Sequence, residues 1–192
     1  MQCWKLAKTL SHPKDPQWEI LVKDALGEAL HPDRKLGFLL SREALKLCLK
    51  EQHYDLAIGQ LKLGKFHQLL SCPQFTISLS HTAGWGAALL ADRNIFQGVG
   101  IDVEHEERVV KASIMVRIAH PGDVRLRNIE LWCLKEAVFK ALMNTDKFQK
   151  PLDFSSLEIS QEGWSHSPSG LSGHWELDLV KSLVIARAFL KN

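Results

Sequence analysis

Residues 132–140 read Trp-Cys-Leu-Lys-Glu-Ala-Val-Phe-Lys, and the middle of that stretch has an earlier copy. Leu-Lys-Glu-Ala-Val at 134–138 answers Ser-Arg-Glu-Ala-Leu at 41–45. Each basic-Glu-Ala core lies in an apolar, helix-forming segment that is followed by short strand patterns. Glu43 and Glu136 stand 93 residues apart (136 − 43), close to half of the 192-residue chain. Self-similarity on that scale predicts two related halves facing each other across a cleft.

The segments around the two copies fill in the halves. Residues 36–50 are apolar around much of a helical wheel, so that helix is expected to be buried. In the later helix, over 130–143, Leu131, Leu134, Val138, Ala141 and Leu142 form the apolar stripe, while Trp132, Glu136 and Lys140 step four residues at a time along another face. From Phe75 the period changes to two: Phe75, Ile77 and Leu79 alternate with Thr76, Ser78 and Ser80. Strands over 85–91 and 99–104 complete a predicted three-stranded antiparallel meander. Three further strands are expected at 156–160, 174–179 and 182–189, and a short helix over 18–29. The expected fold is α+β: two similar helix-plus-three-stranded antiparallel halves related by a pseudo-twofold axis, with a cleft between them. The halves run 1–104 and 129–192, joined by a linker over 105–128 that His120-Pro121-Gly122 breaks.

Composition narrows the class. Apolar residues at 45% and charged residues at 24% are ordinary for a soluble globular protein. A formal net charge of +2 gives no global push toward nucleic acid, so any basic surface must be local. No run approaches the ~18 apolar residues of a membrane span, and the amino terminus lacks the apolar core of a signal peptide. Cys3, Cys48, Cys72 and Cys133 are far apart, with no Cys-x-x-Cys pairing. A cytoplasmic protein without membrane or nucleic-acid partners is expected.

Asp102 and Glu104 lie two apart on the third strand, which sends both carboxylates to one face while Ile101 and Val103 point into the core. Like charges on one face either bind a cation or face water. Glu136 on the later helix adds a third carboxylate. Three oxygen donors with no Cys/His cluster suit Mg²⁺ or Mn²⁺ rather than zinc. Mg²⁺ commonly rides on a substrate phosphate, which points to a phosphate-bearing substrate. Ser80 and His81 close the first strand, and Arg34, Lys35 and Arg42 offer positive charge for phosphate groups. Walker, Gly-x-Gly-x-x-Gly and Gly-x-Ser-x-Gly patterns are absent from the sequence.

Ile-Ser-Leu-Ser-His-Thr (77–82), Gly-Val-Gly-Ile-Asp-Val-Glu (98–104) and Trp-Cys-Leu-Lys-Glu-Ala-Val-Phe-Lys (132–140) together resemble the signatures of the 4′-phosphopantetheinyl transferases. The two-half layout is similar to the monomeric class that activates surfactin synthetase. The resemblance implies that Asp102, Glu104 and Glu136 ligate Mg²⁺ on the pyrophosphate of coenzyme A. It implies Lys140 and Lys135 at the phosphates, Ser80 and His81 on the nucleotide, and Arg34 and Arg42 at the 3′-phosphate. The reaction it implies passes phosphopantetheine to a serine of an acyl or peptidyl carrier protein and releases 3′,5′-adenosine bisphosphate. Glu136 and Lys140 are then the catalytic pair, with Asp123 a second candidate for the base.

Carrier proteins are acidic, so Arg108, Lys111, Arg117, Arg125 and Arg127 in the linker are expected to dock one. A solvated basic helix is the alternative. The chain departs from the family pattern in its short run from Glu104 to Glu136 and in Asn144-Thr145-Asp146 after the helix. A Mg²⁺-dependent nuclease is the rival enzyme reading, though the half-chain repeat has no role in it. An idle coenzyme A or carrier-binding module is a third, against which stand the three carboxylates and both lysines.

Overall fold

The computed structural model describes residues 2–10, 15–26, 31–64, 68–145 and 152–192. In chain order they form β1 (Gln2–Ala7), α1 (Gln17–Leu26), α2 (Pro32–Glu51), β2 (Phe75–Thr82), β3 (Trp85–Asp92) and β4 (Phe96–His105). After these come α3 (Ala112–Ile118), α4 (Asn128–Met143), β5 (Leu157–Ile159), β6 (Trp164–His166), β7 (Leu171–Val180) and β8 (Leu183–Lys191). The fold is α+β with one three-stranded and one five-stranded antiparallel sheet, ordered β1-β3-β2 and β4-β8-β7-β6-β5.

The repeat is visible as topology. Each unit is a strand, a helix and then a hairpin whose second strand pairs back with the first: β1-α2-β2-β3 in one, β4-α4-β7-β8 in the other. The expected meander stops after two strands. β4 makes its ladder with β8, from Phe96↔Lys191 to His105↔Leu183, and the third strand beside β3 is β1. The alternation in 99–104 is genuine, but period two shows which face is buried and not which neighbour carries the ladder. β4 and the short β6 widen the second sheet beyond the three strands expected, which are β5, β7 and β8. Of the helix expected over 18–29, residues 27–29 lie outside the described residues.

The two sheets pack on each other through one face and carry a helix on the other. Between them lie Leu6, Ala87 and Leu89 from the first sheet against Ile101, Val103, Ile185 and Phe189 from the second. On the outside, α2 covers its sheet through Ala44, Leu45, Cys48 and Leu49, which meet Cys3, Ile77, Ala88 and Leu90. α4 does the same through Leu134, Ala137, Val138 and Ala141 against Val184, Ala186 and Ala188. Burial of these stripes is what stabilises helices of this length in water.

Pro32 in the first turn of α2 has no N–H to waste and a pre-set φ. Gly98 and Gly100 let α4 approach β4 very closely, since a Cβ at those positions would lie 2.1 Å from the Ala141 carbonyl oxygen and 1.7 Å from that of Ala137. The even-numbered face of β4, which carries Asp102 and Glu104, therefore lies directly under α4.

β2 and β4 lie side by side without a ladder. Side chains join them instead. The Ser78 hydroxyl accepts the Ile101 N–H at 3.0 Å, and the Asn144 amide donates to the carbonyls of Ile77 and Val99 at 2.8 Å each. Asn144 and Thr145 thus form a buried plug, and Asp146 lies outside the described residues.

Candidate active site

Where β2, β4 and α4 meet, three polar side chains converge. The Ser80 hydroxyl donates to Asp102 Oδ1 at 2.7 Å. The Lys140 ammonium donates to the same oxygen at 2.7 Å, to Ser80 Oγ at 3.0 Å and to the Ile101 carbonyl at 3.0 Å. Asp102 Oδ2 takes the Cys133 thiol at 3.2 Å. Asp102 is buried and fully partnered, which is what an ionised carboxylate requires away from water. Cys133, one turn before Glu136 on α4, went unremarked in the sequence as a site residue. Its thiol pKa is pushed well up by burial and by Asp102, so it acts as a donor and not as a nucleophile.

Glu104 extends the site toward solvent. Its carboxylate accepts the Thr82 hydroxyl at 3.1 Å and pairs with the Arg108 guanidinium. Glu136 is half-buried on α4. Burial raises its carboxyl above the ordinary range, the Asp102 charge adds to that, and Lys140 and Arg108 oppose it. The His81 imidazole is pushed down, first by burial and then by Lys140, with Asp102 opposing, so it favours the neutral ring. That ring packs on Gly37 of α2, where a Cβ would meet it at 2.6 Å. Beside it opens a cavity of about 390 Å³ lined by Asp33, Arg34, His81, Thr82, Glu104 and Arg108 among others.

Two expected phosphate ligands are placed elsewhere. Lys135 is fully buried, and its ammonium donates to the carbonyls of Ile118 (2.6 Å), Leu157 (2.7 Å) and Phe154 (3.4 Å) and pairs with Asp123 at 2.8 Å. It ties α4 to the end of α3 and to β5, and has no donor left for a cleft. Burial depresses its pKa, with Asp123 holding it up. Asp123 is engaged in the same knot, taking the N–H groups of His120 at 2.7 Å and Ile159 at 2.9 Å. Arg42 stacks on Phe38 and lines a separate cavity of about 130 Å³ with Leu21, Asp24 and Lys62. A helix-wheel angle does not tell which neighbour a long side chain will find.

Among the described residues, no three His, Cys, Asp or Glu side chains cluster closely enough to hold a metal. Asp102 is paired with Lys140, and Glu104 with Arg108. The donor chemistry still suits a hard divalent cation, because three carboxylates share this corner with two protein cations and are left with excess negative charge. Binding such an ion requires the protein cations to yield.

Of the basic linker residues, Lys111, Arg117 and Arg125 are exposed. Arg127 pairs with Glu106 and Glu130, and Arg108 faces the cavity.

The family model described as 4′-phosphopantetheinyl transferase superfamily matches residues 98–186. The likeness runs from Gly98 on β4 through α4 to Ala186 on β8. A comparison with curated proteins returned no match. The superfamily transfers phosphopantetheine to carrier proteins, with coenzyme A as substrate. No helix of the described residues is long and apolar enough to cross a membrane.

Proposed function

We propose that this protein is a Mg²⁺-dependent holo-carrier-protein synthase of the monomeric two-half type. It moves 4′-phosphopantetheine from coenzyme A to a serine of an acyl or peptidyl carrier protein and releases 3′,5′-adenosine bisphosphate. The observation that carries the proposal is the meeting of Ser80, Asp102 and Lys140, from three elements distant in sequence, within a fold whose second half matches the superfamily.

Attack of a neutral hydroxyl on a diphosphate needs charge neutralisation, alignment and a proton acceptor. Lys140 supplies the first, being pinned at the sheet end and able to turn from Asp102 to a phosphate oxygen. His81 and Arg34, which line the cavity, hold the nucleotide end together with Ser80, the neighbour of His81 on β2. Asp102, Glu104 and Glu136 would hold the divalent cation, which when bound offsets the charge of the pyrophosphate. Glu136 is the acceptor we favour. It stands half-buried near Lys140 and Asp102, whereas Asp123 is committed to Lys135 and two backbone amides. We place neither Lys135 nor Arg42 at the phosphates.

The carrier protein docks on the linker. Lys111, Arg117 and Arg125 lie exposed there together with Val109 and Val116, which are 86% and 82% exposed. An acidic partner with an apolar contact fits such a surface. Charge reversal at Arg117 and Arg125 raises the KM for carrier protein and leaves coenzyme A binding unchanged. Equal loss of both removes the docking proposal.

The deciding experiment mixes apo carrier proteins of fatty-acid and nonribosomal-peptide type with enzyme, coenzyme A and Mg²⁺, and weighs them by mass spectrometry. A gain of one phosphopantetheine arm is expected. If every carrier keeps its apo mass while a known transferase converts it, the proposal is wrong.

A further inference from the structure

We propose that Arg108 is a phosphate-gripping residue that exchanges partners, holding Glu104 in the ligand-free protein and a nucleotide phosphate once one occupies the cavity. The proposal rests on the transferase reading and adds a residue outside the motifs that suggested it.

Arg108 lines the 390 Å³ cavity together with Arg34 and His81. Two guanidiniums and an imidazole face one space shared with the carboxylates of Asp33 and Glu104, and a guanidinium presents a planar fork that fits phosphate and carboxylate alike. Glu104 now fills that fork. The two partners differ in freedom. The Glu104 side chain is 11% exposed and is also held by the Thr82 hydroxyl at 3.1 Å. The Arg108 side chain is 49% exposed and hangs from a turn whose N–H bonds the His105 carbonyl at 3.0 Å. Glu104 therefore stays and Arg108 swings.

A linkage follows. A divalent cation that takes Glu104 removes the partner that fills the Arg108 fork, so cation and phosphate help each other bind through Arg108. By reciprocity, phosphate that draws Arg108 aside leaves Glu104 open to the cation.

Adenosine 3′,5′-bisphosphate titrated calorimetrically, in EDTA and again in Mg²⁺, tests this on the intact chain. In EDTA, Arg108→Ala weakens binding by about ten- to a hundred-fold, the span expected for a lost charge-assisted contact. Arg108→Lys falls between, and Arg117→Ala, the same charge change on the exposed linker, binds as wild type. Glu104→Gln moves the other way and binds the bisphosphate more tightly in EDTA, because Arg108 has lost its carboxylate. The gain that Mg²⁺ gives the wild type shrinks in both Arg108→Ala and Glu104→Gln.

Equal affinity of wild type and Arg108→Ala overturns the inference. So does weakened binding in Glu104→Gln, which marks the pair as a structural clip. A wild type that binds no bisphosphate even with Mg²⁺ overturns the transferase reading and this inference together.

Discussion

The two units share a topology but not a chemistry, and matching them through their ladders shows where they parted. Lys5 and Asp102 each face the fourth residue of the third strand of their unit, Ala88 and Ala186. Ala7 and Glu104 each face the second, Gly86 and Val184. Along the helices, Arg42-Glu43-Ala44 matches Lys135-Glu136-Ala137, so Leu47 stands where Lys140 stands. The first unit retains one carboxylate of the three and no equivalent of Lys140. Glu43 survives at 2% exposure, with Oε2 buried and lacking a hydrogen-bond partner. The lesson is that the fold repeats because hydrophobic stripes and ladders repeat, whereas a reactive corner needs several polar positions at once and is kept in one copy.

The largest contrast expected is between the two basic residues that precede the glutamates. Lys135→Met strands the buried Asp123 and should lower unfolding stability by about 3–5 kcal/mol. Arg42→Met removes a cation without an ion pair among the described residues and should change stability by less than about 1 kcal/mol. Denaturant titration of both compares them directly, and equal effects would break the distinction drawn between knot and cavity.

Next comes the strand pair. Asp102→Ala should lower phosphopantetheine transfer by about 10²- to 10³-fold, the range for losing a preorganised electrostatic group, while Lys5→Ala leaves turnover near wild type. A comparable loss in Lys5→Ala would mean that the first unit carries chemistry too.

The glutamates give smaller effects of opposite kind. Glu43→Met fills the same space without an orphaned polar atom and should raise stability by about 1 kcal/mol, with unchanged turnover. Reduced turnover in that variant would show that Glu43 still serves the reaction.

Glu136→Gln should abolish transfer and yet stabilise the fold at neutral pH. The sign follows from the raised pKa of Glu136. Its ionised form is disfavoured by folding, so the wild type is at its best relative to the variant below the ordinary carboxylate range, and it loses ground as pH rises through the raised value. Solvent screening of the half-buried carboxylate keeps the gain in the variant small. Thermal melts across pH 4 to 8 read it, and a gain that grows toward acid would invert the assignment.

Much of the architecture was legible where one physical signal dominated. Alternation marked 75–80 within β2, the chain's return after the turn marked 85–91 within β3, and the apolar stripe marked α4 over 130–143 against an observed Asn128–Met143. β1 was missed because Gln-Cys-Trp-Lys-Leu-Ala shows no clean alternation, its burial being settled by β3 alongside it. Which sheet owned β4 was likewise a tertiary matter. At the site, spacing placed Asp102 and Glu104 on one face and Glu136 and Lys140 on another. It could not show that Lys135 turns to backbone carbonyls 17 to 22 residues away, or that Arg108 closes on Glu104. Side-chain reach depends on neighbours that only the folded chain supplies.

The seam between β2 and β4 has a consequence for how the molecule responds to heat. No ladder crosses it; the amide of Asn144, the hydroxyls of Ser78, Ser80 and Thr82 and the ammonium of Lys140 are the stitches. A coenzyme spanning from Ser80 to Glu136 would sew both margins together. Occupancy would then report itself as a later and sharper melt of the whole chain, because the stitches and the guest would have to fail at the same moment.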